Sequence, residues 1–532
     1  MRNLRGSRVL FAVVVVVVLG GLYALAGLRH SISLSAGAAP TPPRSIPVTS
    51  VTRVCPAPGA EFSRGGGIAV MASPGGQSTA NQGTDSQSTG SQGTGSSGPA
   101  SSGPAVAVVT RLAGLGRSTA GPAVLSITKA GTPRLATVNV DRTARAQAGP
   151  KGKPSTTTVV STAIRGGVVV QASGALAQGL DVEQTAGTHL PTAACSSPGT
   201  DFWFAGPGQR TAGRIQVYLM NASSQAADAN VDIVTDAGPL QDTTDNGITV
   251  PPHGMIVQSL APVLRDSRSL ALHVRTSVGQ VAAAVQESTG TGEGAWLPAA
   301  QAPSTHLVIP GLPAAPGSRN LYLSVPGVKD AKVSVSAVTS RGTYVPTGAG
   351  GIDIPGGSAA EVSLPSLAGI PAAIKLTASA PIAATIMIPG GTNGSPGFFT
   401  AAAPAIEEQG VIADNLTGAG RASSLILSAP RAAARVSVAQ ISSAGSARRT
   451  QTVAISSGKS VVVALKAVPG APRSTPFAVV ISPLAGSGPV YAGRVISASG
   501  AGGALQSLLP VASSLITIPL PPVRNEAISA VR

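Results

Sequence analysis

The side chains able to do chemistry in this sequence are few and scattered. Its histidines are His30, His189, His253, His273 and His306, and none stands at the close spacing that a zinc site needs. His273 alternates with apolar neighbours in "LALHVRT", which predicts a place on a strand face. Asp236, Asp242, Asp245 and Asn246 crowd the loop "DAGPLQDTTDNG". A calcium loop of the helix-flanked kind needs a Glu at its twelfth position, and counting from Asp242 reaches His253 instead. These residues are therefore read as turn formers that bond their own backbone, with an irregular calcium loop as the alternative.

Other motifs fail on context. "GTGSSG" at 93 meets the dinucleotide pattern only inside a Gly/Ser tract, without a strand before it or a helix after it. "SSGKS" at 456 ends like a phosphate-binding loop, but Val453 stands where the first glycine belongs, and a hairpin turn is expected. Glu407 and Glu408 are adjacent, so on a strand their carboxylates point to opposite faces and cannot share acid–base work. No G-x-S-x-G elbow is present. No catalytic residue, metal ligand or cofactor is assigned, and a non-enzymatic protein is expected, an enzyme whose site is assembled from distant residues being the third choice.

The cysteines give a positive expectation. Cys55 in "RVCPAPG" and Cys195 in "AACSSPG" are the only two, and in an exported chain an even count predicts a disulfide. Closing a loop of about 140 residues would contribute up to about 4 to 5 kcal/mol on the chain-entropy model.

The export signal lies at the N-terminus. Arg2, Arg5 and Arg8 precede the uncharged, mostly apolar run "VLFAVVVVVVLGGLYALAGL" at 9–28. Such a run is long enough to cross about 30 Å of hydrocarbon as a helix. Positive charge ahead of it keeps the N-terminus cytoplasmic and sends residues 31–532 outside, as a single-pass membrane protein. Ala24-Leu25-Ala26 and Ala36-Gly37-Ala38 offer cleavage sites that would make the chain secreted instead.

The remaining elements are expected to be strands. Glycine numbers 65 and proline 44 while aromatics are 3%, a composition of short strands broken by turns around thin aliphatic cores. Four related units follow from internal similarity at a period of about 105 residues. "RIQVYLMNAS" at 214 is echoed by "RNLYLSVPG" at 319 and "SSLILSAPR" at 423. "ANVDIVTDAG" at 229 is likewise echoed at 331 and 434. The fold class is thus all-β: a cytoplasmic stub and transmembrane helix (1–30), a tether (31–44), and four tandem immunoglobulin-like or fibronectin-like β-sandwiches. Their bounds are 45–195, interrupted by a low-complexity insert at 73–104, then 196–303, 304–404 and 405–522, with a tail at 523–532. A β-propeller is the competing arrangement.

Charge is unevenly spread. Residues 196–415 hold 10 basic and 15 acidic side chains, whereas 416–532 hold 11 basic and 1 acidic. The distal unit, through Arg421, Arg431, Arg435, Arg448, Arg449, Lys459, Lys466, Arg473 and Arg494, is therefore a candidate surface for an anionic cell-wall polymer, lipid headgroups or an envelope protein. Nucleic acid is excluded as a partner, because aromatics are not interleaved with these cations and the compartment is wrong. A carbohydrate-binding accessory module is the alternative function, weakened by there being only Trp203, Trp296, Tyr218, Tyr322, Tyr344 and Tyr491 to form sugar platforms.

The apolar leader, the insert, the Ala/Gly/Val-rich repeats and the segments "CPAPG" and "CSSPGTDFWF" together resemble a family of actinobacterial exported proteins known as a domain of unknown function. The resemblance covers most of residues 1–520. It implies a cell-envelope location and a high-GC organism, and it brings no catalytic residues. The expected function is a membrane-anchored adhesion, scaffold or binding module.

Overall fold

The computed structural model describes residue 17, residues 45–56, 66–72, 107–111, 113–114, 134–140 and 159–161, and, with short gaps, 167–519. The apolar run at 9–28 (apart from Val17), the tether, the 73–104 insert and the 523–532 tail lie outside the described residues. Among the described residues the protein is all-β, and no helix is long and apolar enough to cross a membrane. The chain divides into two units, residues 1–46 with 517–532, and residues 47–516. The strands Ser45–Pro47 and Thr517–Pro519 pair with each other.

Strand formation follows from side-chain period. "ADANVDIVT" at Ala227–Thr235 is buried and half-buried in strict alternation, because alternate residues of a strand face opposite sides. Its turn is chemically specified: Thr235 Oγ1 donates to the Gly238 carbonyl at 3.0 Å and accepts from the Ala237 amide at 3.2 Å. Thr339 repeats both bonds with Gly342 and Arg341. Gly238 and Gly342 sit at φ 112° and 129°, a conformation that glycine adopts without a Cβ penalty.

The strands of 201–297 make two sheets. In the first the order is Asp201–Pro207, Ser269–Val278, Ala227–Thr235, Gly238–Leu240; in the second it is Ala295–Leu297, Ala282–Ser288, Arg214–Met220, Gly254–Ser259. Phe204, Val231 and Leu272 from the first sheet meet Val217, Val285 and Leu297 from the second in one core. The same order recurs in 304–401 and in 410–511. One difference is that Ala372–Ile388 is a single 17-residue strand serving both sheets. Its first half pairs with Ser304–Leu312 and Ala331–Thr339, its second with Arg319–Val325 and Phe398–Ala401. In 50–194 the sheets are Ser50–Cys55, Val168–Ser173, Ala107–Arg111 and Thr192–Ala194, Asp181–Thr185, Gly66–Ala72, Arg134–Val140, Val159–Ser161. Sheet neighbours such as Asp201–Pro207 and Ser269–Val278 are far apart in the chain, whereas a propeller blade is a meander of consecutive strands. None of the sheets is a propeller blade.

Each of these four blocks packs on the next. Val54 and Val169 of the first pack with Tyr218, Met220, Met255 and Trp296 of the second. Tyr322, Met387 and Phe399 of the third join the core of the second. Ile426, Val495 and Leu508 of the fourth join the core of the third. The fourth returns to the first through the strand Gly410–Asn415, whose Ala413 amide donates to Glu183 at 2.7 Å. The last strands of all four blocks meet around a cavity of about 20 Å³, lined among others by Thr192, Trp296, Phe399 and Leu508, room for about one water. Four similar blocks joined head to tail thus form a closed circuit, the intramolecular counterpart of a heterologous ring.

Candidate functional site

The densest charged cluster lies in the seam that closes this circuit. Glu183, on Asp181–Thr185, and Arg494, on Tyr491–Ala498, are both fully buried and form an ion pair at 3.3 Å. Glu183 Oε1 accepts from the Ala413 amide, which Asp181 Oδ2 also meets at 3.0 Å. Arg494 Nη1 donates to the Asp414 carbonyl, and Nη2 donates to Ser507 Oγ at 2.9 Å. Ser507 Oγ in turn donates to Thr192 Oγ1 at 2.9 Å, and Thr185 Oγ1 donates to Asp414 Oδ2 at 2.9 Å. The first and last blocks are therefore joined by charge-assisted bonds with partners from both blocks.

Burial sets the electrostatics. Desolvation pushes the Glu183 carboxyl well above its ordinary range, opposed by the Arg494 guanidinium and reinforced by the charges of Asp181 and Asp414. Desolvation raises Asp181 also, against the pull of Arg53, and lowers Arg53, against the pull of Asp181. Arg53 is held by Nε donating to the Leu180 carbonyl at 3.3 Å in its own block and Nη1 donating to Ser197 Oγ at the start of the second. Beside it Cys55 and Cys195 form the expected disulfide, across 140 positions of sequence.

Arg494 corrects the proposed basic surface: with no exposure, it cannot meet an external polymer. Its role was readable by aligning the repeats. The cross-strand neighbours of Trp296, Phe399 and Leu508 are Gln286, Met387 and Val495, and the residues preceding them are Val285, Ile386 and Arg494. An arginine in a position that otherwise takes a core aliphatic needs a buried acid, but nothing in the sequence names Glu183, 311 residues earlier, as its partner.

The other basic residues separate. Arg431, Arg435 and Lys459 are exposed near one end of the fourth block, where the turns after Arg421–Ala429 and Arg448–Ile455 lie. Half-buried Arg421 and Arg449, with exposed Lys466, lie toward the other end. The nine-residue strand Arg421–Ala429 sets these ends about 25 Å apart. Arg473 and the side chain of Arg448 lie outside the described residues. "SSGKS" is a turn, with Gly458 at φ 70°, but the strands it links belong to different sheets, so it is not the hairpin expected.

Elsewhere the chemistry is structural. Among the described residues no group of three or more His, Cys, Asp or Glu could hold a metal ion. Asp236 Oδ1 accepts from the Arg268 amide at 3.0 Å; Asp242 and Asp245 lie outside the described residues. His273 stands on its strand stacked on Trp203, ring centroids 3.9 Å apart, with Asp201 and Asp232 each 3.5 Å from a ring nitrogen. Trp296, Tyr218, Tyr322 and Tyr491 are buried, while Tyr344 is exposed. An open cleft of about 560 Å³ lies between the third and fourth blocks, lined by residues including Ser304, His306, Glu407, Arg431 and Tyr491.

An all-β chain of four two-sheet blocks, closed by a buried ion pair and with one disulfide in its first block, is the class that fold and site define. The model of a family of unknown function, DUF5719, matches residues 148–466, more than half of the chain, and the chain belongs to that family. No curated protein and no solved structure matches it.

Proposed function

We propose that this is a non-enzymatic binding scaffold of the cell envelope, carried outside the membrane behind the apolar segment at 9–28 as an anchor or a removed leader. Its blocks are read as immunoglobulin-like or fibronectin-like sandwiches. The observation that carries the reading is the closed circuit, in which buried Glu183 and buried Arg494 are spent on joining the first block to the fourth. A circuit of packed blocks holds its outer surfaces in fixed register, which suits a platform for binding.

The partner that fits the distal charge is an anionic cell-wall polymer, held through cations at both ends of the fourth block. Two clusters about 25 Å apart favour an extended ligand over a compact one, because a linear polyanion can reach both. Sugar recognition through aromatic platforms is less favoured, since four of the six Trp and Tyr residues in the blocks are buried.

Retention of the full chain on purified cell wall across a salt series tests this. Retention should fall steeply as salt rises from low to physiological strength, and the Arg435→Gln, Lys459→Gln, Lys466→Gln triple variant should weaken it at low salt. A full chain that binds no anionic surface at low salt refutes the proposal, and release by free sugar in place of salt turns it toward carbohydrate binding.

A further inference from the structure

The cleft between the third and fourth blocks combines two opposite charges with a small apolar surface. Glu407 sits in the segment joining the blocks and Arg431 on the turn after Arg421–Ala429, and both are exposed at the cleft. Each uses only its backbone in hydrogen bonding: the Glu407 amide donates to Ser513 Oγ, and the Arg431 carbonyl accepts from Ser457 Oγ. Among the described residues neither side chain has an ion-pair or hydrogen-bond partner. The protein therefore holds a free carboxylate and a free guanidinium around one cavity of about 560 Å³, within the volume range of small-molecule sites.

Pro404, exposed, and Ala405, half-buried, also line the cleft, so it offers a small apolar surface beside the two charges. His306 and Ser304 add polar groups, with His306 Nδ1 positioned 3.0 Å from Thr305 Oγ1. A polyanion would be drawn to Arg431 but repelled by Glu407, and a neutral sugar would leave both charges unanswered. A ligand bearing a carboxylate and an ammonium at the two ends of a small apolar body answers both. We infer that this cleft is a binding site for a zwitterionic short peptide or amino acid, Arg431 taking its carboxylate and Glu407 its ammonium. The inference is tested apart from the polymer surface, whose variant alters Arg435, Lys459 and Lys466 and leaves Arg431 and Glu407 in place.

Isothermal titration of the full chain with L-alanyl-L-alanine tests it, alongside the N-acetylated dipeptide, the dipeptide amide and inorganic phosphate. The free dipeptide should bind, and each blocked form should bind at least tenfold more weakly. Arg431→Gln should abolish discrimination against the amide and Glu407→Gln discrimination against the acetylated form, both variants keeping wild-type thermal stability because the side chains are exposed. Equal binding of free and blocked dipeptides overturns the inference, as does no binding of the free dipeptide at tens of millimolar. Phosphate binding that Glu407→Gln strengthens, without dipeptide binding, also overturns it and makes the cleft an anion site. The polymer variant leaves Arg431 and Glu407 intact, and dipeptide titration leaves Arg435, Lys459 and Lys466 intact, so either proposal can fail while the other stands.

Discussion

Two kinds of seam hold the circuit together. The seams between successive blocks are apolar: Trp296 and Met220, then Tyr322, Met387 and Phe399, then Ile426, Val495 and Leu508 fill them. The closing seam, between the fourth block and the first, is ionic, with Glu183 and Arg494 at its centre. Apolar seams gain area removed from water and tolerate any partner of the right shape. A buried ion pair is different: desolvation offsets most of its attraction, but a wrong or missing partner is strongly penalised. The difference teaches that the closing seam contributes register more than energy. In a chain of four similar blocks that prevents closure one block early, since the second and third carry Val285 and Ile386 where the fourth carries Arg494.

The largest way to break the comparison is at the disulfide beside the closing seam. Cys55→Ser with Cys195→Ser should cost up to about 4 to 5 kcal/mol by releasing a loop of about 140 residues in the unfolded chain. Calorimetry checks this, and an unchanged melting temperature would show that the ionic seam alone secures the first block. Next come paired truncations of the two seams. Phe399→Ala should cost about 3 to 5 kcal/mol at any pH, being an apolar loss. Arg494→Met should cost a similar amount, about 3 to 5 kcal/mol, at pH 8 but distinctly less at pH 5. Without its cation Glu183 is buried alone, and its raised pKa lets it fold protonated at the lower pH. Urea titrations at both pH values read this, and equal losses for Arg494→Met would refute the ionic account.

A smaller effect comes from an acid that has no such seam. Glu287, in the second block, is buried, and desolvation pushes its carboxyl up to about 7. Its folded pKa lies above the unfolded value, so its stabilising contribution is complete below the unfolded pKa and is lost as pH rises through about 7. Glu287→Gln should therefore stabilise the protein by up to about 3 kcal/mol at pH 8 and change little at pH 4. The smallest effect is at the exposed Arg275–Asp232 pair, 2.7 Å long with both side chains more than a third exposed. Arg275→Gln should cost under about 1 kcal/mol, and a larger loss would mean that the Trp203–His273 stack depends on it.

Much of this was legible because it is local. Alternation in "ANVDIVTDAG" and its relatives identifies strands, their turn residues mark where they reverse, and the recurrence of both gives the repeated strand pattern. The cysteine pair was legible from parity and the compartment expected from the N-terminal apolar run. Arg494 reads as a surface residue because "YAGRVIS" alone does not say which face meets a partner block; only alignment of the repeats puts it where Val285 and Ile386 are core. Glu183 was overlooked because "LDVEQT" reads as an ordinary strand with a solvated charge, and only the neighbour across the seam buries it.

By itself, then, the sequence determined the elements and their repetition, because side-chain period and turn chemistry act over a few residues. Tertiary structure decided which faces are inside. The circuit of blocks removes Glu183, Arg494 and four of the Trp and Tyr side chains from water, opens a charged cleft between the third and fourth blocks, and divides the basic residues between two ends. Those outcomes depend on contacts between residues hundreds of positions apart, where desolvation and pairing reset what a charged side chain can do.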